Sequence, residues 1–138
     1  MKGILLDTHV WLYIANDEFE CSEVLKKEID KAAQEGRLFI SAITLWEVSM
    51  LAAKGRITKL VPNCLYRINE AIKLTNVQIL ELTSDIAVDS CYLPGNFHPD
   101  PSDRIIVATA RIHDLCLVTA DKAILRYSKE DHVNTFAI

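Results

Sequence analysis

The sequence predicts an α/β fold, a central parallel sheet of about five strands flanked by helices. Two observations lead there. Short continuous apolar runs, such as Gly3–Leu6, Leu38–Ser41 and Cys116–Thr119, have the length and character of strands buried on both faces. Between them lie longer stretches whose apolar residues recur at helical spacing, as crossover connections between parallel strands require. Size agrees: 138 residues, half of them hydrophobic and 25% charged, suit one domain over residues 1–138 with one core. No repeat, linker or low-complexity segment divides the chain.

Each element has its own local signal. Gly3–Leu6 reads as a first strand ending at Asp7, and the mostly apolar Thr8–Ala15 as a short helix. Val24, Leu25, Ile29 and Ala32 mark a helix from about Ser22, a plausible N-cap, to Gln34, with Gly36 as its stop. Leu38–Ser41 is the second strand, followed by a helix from about Ile43 to Lys54, ended by Gly55. Pro62 suits the first turn of a helix running towards Leu74. Val77–Leu82 alternates as a third strand, and Ser84 caps a helix over Asp85–Cys91.

Leu93–Pro101 holds three prolines and a glycine and reads as a loop. Asp100-Pro101-Ser102-Asp103 opens the next helix, which carries Ile105, Ile106, Ala108, Thr109 and Ile112. Cys116–Thr119 is the fourth strand, Asp121 starts a short helix, and Val133–Ile138 is a last edge strand.

Charge and cysteine usage exclude several function classes. A net charge of −4 does not fit a broad basic nucleic-acid binder. Any work on RNA falls to local bases and to bound cations. The local bases are the Lys54, Arg56 and Lys59 cluster and the pair Arg104 and Arg111, which share a helix face; solvated surface charge is the simpler explanation of each. Cys21, Cys64, Cys91 and Cys116 are scattered without a C-x-x-C pair, which argues against zinc and for free thiols. No run approaches ~18 apolar residues, and the N-terminus lacks a secretory pattern, so a soluble cytoplasmic protein without membrane contact is expected.

Four acids stand out, each with a structural alternative. Asp7 directly follows the first strand and Asp121 follows the fourth by one residue, so both belong at the carboxyl edge of the sheet, where ligands bind in such folds. Either is also a natural N-cap. Asp100 and Asp103 flank a helix start; capping accounts for one of them and leaves the other available. Glu47 is the one charged residue among the sixteen from Leu38 to Ala53. A carboxylate there is costly unless a cation or a salt bridge, such as one with Arg104, compensates it. Asp7, Glu47, Asp103 and Asp121 together would repel one another, and Mg²⁺ or Mn²⁺ resolves this through hard oxygen ligands.

These residues resemble PIN-domain ribonucleases, and among them the VapC toxins of type II toxin–antitoxin pairs. The resemblance lies in Leu5-Leu6-Asp7-Thr8-His9, in Ser41 to Glu47, in His98-Pro99-Asp100-Pro101-Ser102-Asp103-Arg104 with the helix to Ala110, and in Leu117-Val118-Thr119-Ala120-Asp121. It implies a PIN-like α/β/α sandwich with Asp7, Glu47, Asp103 and Asp121 as the acidic, metal-binding quartet. Thr119 matches the small hydroxyl residue that orients a carboxylate or water, with Thr8 a weaker candidate. His98 stands near the site as a contact for substrate phosphate.

The implied activity is Mg²⁺-dependent endonucleolytic hydrolysis of RNA by a metal-activated water. A cognate antitoxin would block the site, and the chain would form a homodimer. Trp11, Tyr13, Trp46 and Met50 are apolar residues on which an antitoxin helix could pack, or simply core. The alternative within the family is a degenerate module that binds RNA or protein without cutting. A phosphatase with an Asp nucleophile would place a second Asp where His9 stands. A response receiver would place paired acids early in the chain and a lysine after the last strand; neither is present.

Overall fold

The computed structural model describes residues 2–138; Met1 lies outside them. The elements run β1 (Ile4–Leu6), α1 (Thr8–Ala15), α2 (Glu23–Gln34), β2 (Leu38–Ser41), α3 (Ala42–Ala53), α4 (Cys64–Thr75), β3 (Gln78–Leu80), α5 (Ser84–Cys91), α6 (Pro101–His113), β4 (Cys116–Thr119), α7 (Lys122–Ser128) and β5 (Asn134–Ala137). All five strands are parallel, in the order β3-β2-β1-β4-β5. The register pairs Ile4 with Leu38 on one side of β1 and with Cys116 on the other.

The alternation of side chains along each strand divides the core into two layers. Ile4, Leu6, Leu38, Ile40 and Val118 face one side, with Val10 and Trp11 of α1, Leu25 and Ile29 of α2, Val48 of α3 and Ile68 of α4. Leu5 and Leu117 face the other, with Ile86 of α5, Ile106 and Val107 of α6, and Ile124 and Tyr127 of α7. Both faces are therefore covered. This is why the strands read as unbroken apolar runs.

The chain begins at the middle of the sheet, winds out through β2 and β3, then returns to add β4 and β5 on the other side of β1. The carboxyl ends of β1 and β4 thus lead to helices on opposite faces, α1 and α7. A crevice opens between neighbouring strands at such a point.

The expected elements are all present, with shifted ends. Pro62 lies outside α4, because Asn63 adopts a left-handed conformation (φ 63°) that breaks the helical path before Cys64. The cap of α5 is Thr83, whose hydroxyl accepts from Ile86 N at 3.3 Å, so Ser84 is already helical. β3 stops at Leu80, and Glu81 and Leu82 are exposed as the chain turns towards that cap. β5 is shorter than Val133–Ile138 by a residue at each end. Ser22 caps α2 as expected, accepting from Leu25 N. The four cysteines are free thiols. Among the described residues no helix is long and apolar enough to cross a membrane.

Candidate active site

Asp7 leaves β1 with its backbone still in the ladder, Asp7 N donating to Val118 O at 3.0 Å. Its carboxylate accepts from Thr8 N through Oδ1 (2.9 Å) and from Thr119 Oγ1 through Oδ2 (2.6 Å). Only 7% of Asp7 is exposed. Burial raises its pKa above the ordinary value, against the lowering effect of the two hydrogen bonds and of nearby His9; the charge of Asp121 adds to the rise.

Thr119 ends β4, fully buried, and joins two of the acids. Its hydroxyl donates to Asp7 and accepts from Asp121 N at 3.0 Å. Asp121 caps α7, its Oδ1 accepting from Ala123 N (2.8 Å) and Ile124 N (3.0 Å). No donor among the described residues reaches its Oδ2. The capping alternative is therefore true of both Asp7 and Asp121, and each cap still stands at the carboxyl edge of the paired strands β1 and β4.

At the start of α6 the two roles separate. Asp100 is the cap, with Oδ1 accepting from Ser102 N (3.0 Å), Ser102 Oγ (2.9 Å) and Asp103 N (3.2 Å). Burial alone would raise the Asp100 pKa, but these donors outweigh it and hold the carboxyl below its ordinary value. Asp103 is left without a capping duty. Its pKa is pushed up to about 7, first by burial and then by the charges of Asp100, Asp7, Asp121 and Glu47. The charges of the other three acids singled out from the sequence therefore reach Asp103 across this edge of the sheet.

Glu47 projects from α3. The salt bridge with Arg104 is not made: Arg104 donates instead to the carbonyls of Ser90 (2.7 Å), Phe97 (3.1 Å) and His98 (3.3 Å). Glu47 Oε1 accepts from Thr8 Oγ1 at 2.7 Å. Thr8 Oγ1 also lies 2.9 Å from Thr44 Oγ1. A hydroxyl has one proton, so if Thr8 donates to Glu47, Thr44 must donate to Thr8. Thr44, wholly buried one turn before Glu47 on α3, escapes a reading of the sequence. Its signal is a hydroxyl on an otherwise apolar helix, at a spacing that puts it beside the lone acid.

Other candidates are placed differently. His98 Nε2 lies 3.2 Å from Asp103 Oδ2, beside an acid of the cluster. Trp11 is core, its indole donating to Thr75 Oγ1 at 3.0 Å, whereas Tyr13 and Trp46 are exposed. In the basic cluster, Lys59 pairs with Glu18 at 3.1 Å. Arg111, which shares a helix with Arg104, pairs with Asp89 at 2.9 Å and donates to His132 O.

The donors of the cluster are carboxylates and hydroxyls, the hard oxygen set that Mg²⁺ and Mn²⁺ take. Burial first, and then the charges of neighbouring acids, push the Asp103 pKa up to about 7, and a divalent cation would offset that negative charge. Among the described residues no group of three or more His, Cys, Asp or Glu side chains is spaced to hold a metal ion. The residues fit a hard cation in donor type and in charge.

Comparison with known proteins agrees with this architecture. The PIN domain family model matches residues 4–130. Ribonuclease VapC22 of Mycobacterium tuberculosis (strain ATCC 25618 / H37Rv) is 32% identical over 124 residues, covering 88% of this chain and 89% of that protein. In fold, the chain resembles VapBC2 from Rickettsia felis bound to a promoter DNA fragment (TM-score 0.68, 16% identity, 97% of each chain). It also resembles FitAcB from Neisseria gonorrhoeae (TM-score 0.63, 23% identity, 96% of each chain). Acids gathered at the switch point of the sheet, a family model spanning nearly all of the chain and a relative matched over most of both chains converge: this chain belongs to the PIN domain family.

Proposed function

We propose that the chain is a single-domain, Mg²⁺- or Mn²⁺-dependent endoribonuclease, the toxin component of a type II toxin–antitoxin pair. The observation that carries this reading is the convergence of Asp7, Glu47, Asp121 and Asp103, with the Asp103 pKa raised to about 7 by burial and by its neighbours. The relative named a ribonuclease supports the reaction, and neighbours described as VapBC proteins support an antitoxin partner. The homodimer expected by resemblance belongs to the same proposal.

Asp7, Glu47, Asp103 and Asp121 would hold the cation. Bound there, it would lower the pKa of a water and offset charge on the phosphodiester under attack. The chain's own residues prepare the site. Thr119 fixes the Asp7 carboxylate and the backbone of Asp121 through one hydroxyl. The Thr44–Thr8 pair holds one oxygen of Glu47. Exposed His9 on α1 is a nearby basic side chain that acts on Asp7 and could meet a polyanion. Exposed Tyr13 and Trp46 offer apolar area for a partner helix.

Purified chain, free of any partner, is expected to cleave RNA with Mg²⁺ or Mn²⁺ and to stop on addition of EDTA. Asp7→Asn is expected to abolish cleavage while the circular dichroism of the fold persists. An Asp7→Asn variant with full activity would overturn the assignment.

A further inference from the structure

We propose that His98 is the positioning residue for Asp103: its Nε2–H engages Oδ2 and so fixes the rotamer of that carboxylate. The inference rests on the metal-dependent reading above and assigns within it a role to a loop residue outside the acidic quartet.

The ring's own hydrogen bonding decides which nitrogen faces the acid. Asp100 N donates to His98 Nδ1 at 3.4 Å, so Nδ1 is the acceptor. In the neutral imidazole the proton then resides on Nε2. That nitrogen is shielded from solvent and has no aligned hydrogen-bond acceptor among the described residues. Asp103 Oδ2 lies 3.2 Å away, at contact distance but off the hydrogen-bond axis. A buried N–H without an acceptor is unfavourable, and the adjacent carboxylate is the group that can satisfy it.

The loop that carries the ring is fixed to the same helix as its target. Arg104, next to Asp103 on α6, donates through Nη1 to the carbonyls of both Phe97 and His98, and through Nε to Ser90 O. The Phe97 ring lies against His98 (centroids 4.3 Å apart) and against Tyr127 of α7 (4.9 Å). The Tyr127 hydroxyl donates to Pro94 O at the start of the loop. The loop that carries the ring is thus held to α6 by Arg104 and to α7 by Tyr127. That is the arrangement expected of a residue orienting a ligand and not of a surface histidine.

The test measures Mn²⁺ binding to the full chain by isothermal titration calorimetry, without RNA, for the wild type and the variants His98→Ala, His98→Gln and Asp103→Asn. His98→Ala is expected to weaken Mn²⁺ binding by about tenfold, the lower end of the usual cost of losing a residue that orients a ligand. His98→Gln keeps a terminal N–H donor and is expected to stay within about threefold of wild type. Equal melting temperatures for the two His98 variants would confirm that the difference does not come from folding. Unchanged binding in His98→Ala, with binding lost in Asp103→Asn, would overturn the positioning role. Equal losses in His98→Ala and His98→Gln would overturn it in favour of packing. Unchanged binding in Asp103→Asn would overturn the metal reading itself.

Discussion

Thr119 donates its hydroxyl proton to Asp7 Oδ2 at 2.6 Å and with the same oxygen accepts from Asp121 N at 3.0 Å. The residues lie 112 positions apart in one bond and two in the other, and β1 pairs with β4 to bring them together. One buried hydroxyl therefore sets the relation between two acids of the site.

Removing that hydroxyl should cost both activity and stability. Thr119→Val keeps the volume but leaves a buried carboxylate oxygen and an N–H without their partner. We expect RNA cleavage to fall by about 10–100-fold and unfolding free energy to fall by about 1–3 kcal/mol. Thr119→Ser should recover most of both. Cleavage rates and urea unfolding of the two variants check this; an active, stable Thr119→Val would show that the bond does not matter.

The Thr44–Thr8–Glu47 chain makes a graded prediction. Thr8→Val removes the donor to Glu47 and the acceptor for Thr44, whereas Thr44→Val leaves the bond to Glu47 in place. Thr8→Val should therefore be the more damaging change in both cleavage and stability. A double-mutant cycle should show coupling of about 0.5–3 kcal/mol between the two positions. Strictly additive effects would mean that the two hydroxyls do not act as a unit.

Asp103 makes the stability of the metal-free chain depend on pH. Its carboxyl has an ordinary value of 3.8 and holds its proton up to about pH 7 when folded. Between those values the folded state binds more protons than the unfolded state, so stability falls as pH rises through this window and levels above it. Asp7, also raised by burial, contributes with the same sign. Asp100 is lowered and acts oppositely: its contribution is lost only in more acidic solution, as pH falls through its lowered folded value. The melting temperature without divalent cation should therefore be higher near about pH 5.5 than near about pH 8. Asp103→Asn should flatten that slope, stabilise the alkaline form by on the order of 1 kcal/mol and abolish cleavage. A melting temperature that rises between those two pH values would contradict the assignment.

The sequence by itself determined the class of fold and the chemical type of the site. Strands buried on both faces must be continuous apolar runs, so β1, β2 and β4 are visible as such. An acid directly after a buried strand, as at Asp7, lies at the sheet's carboxyl edge whatever else it does. Glu47 is legible because an isolated charge on an apolar helix demands compensation. Helix ends were less legible, as at Pro62 and Ser84, because a left-handed residue or a neighbouring hydroxyl shifts a cap without changing the periodicity.

What only the tertiary structure decided is how the polar groups divide their hydrogen bonds. Local spacing offers Asp100 and Asp103 equally to the helix start. The fold gives the backbone N–H groups to Asp100 and brings Asp103 within electrostatic reach of acids that follow β1, sit on α3 and precede α7. Likewise Arg104 is a charge on a helix face until the loop carbonyls of Phe97 and His98 close on it. Those partners lie in other elements, and a hydrogen bond depends on distance and angle, which only the packed chain supplies.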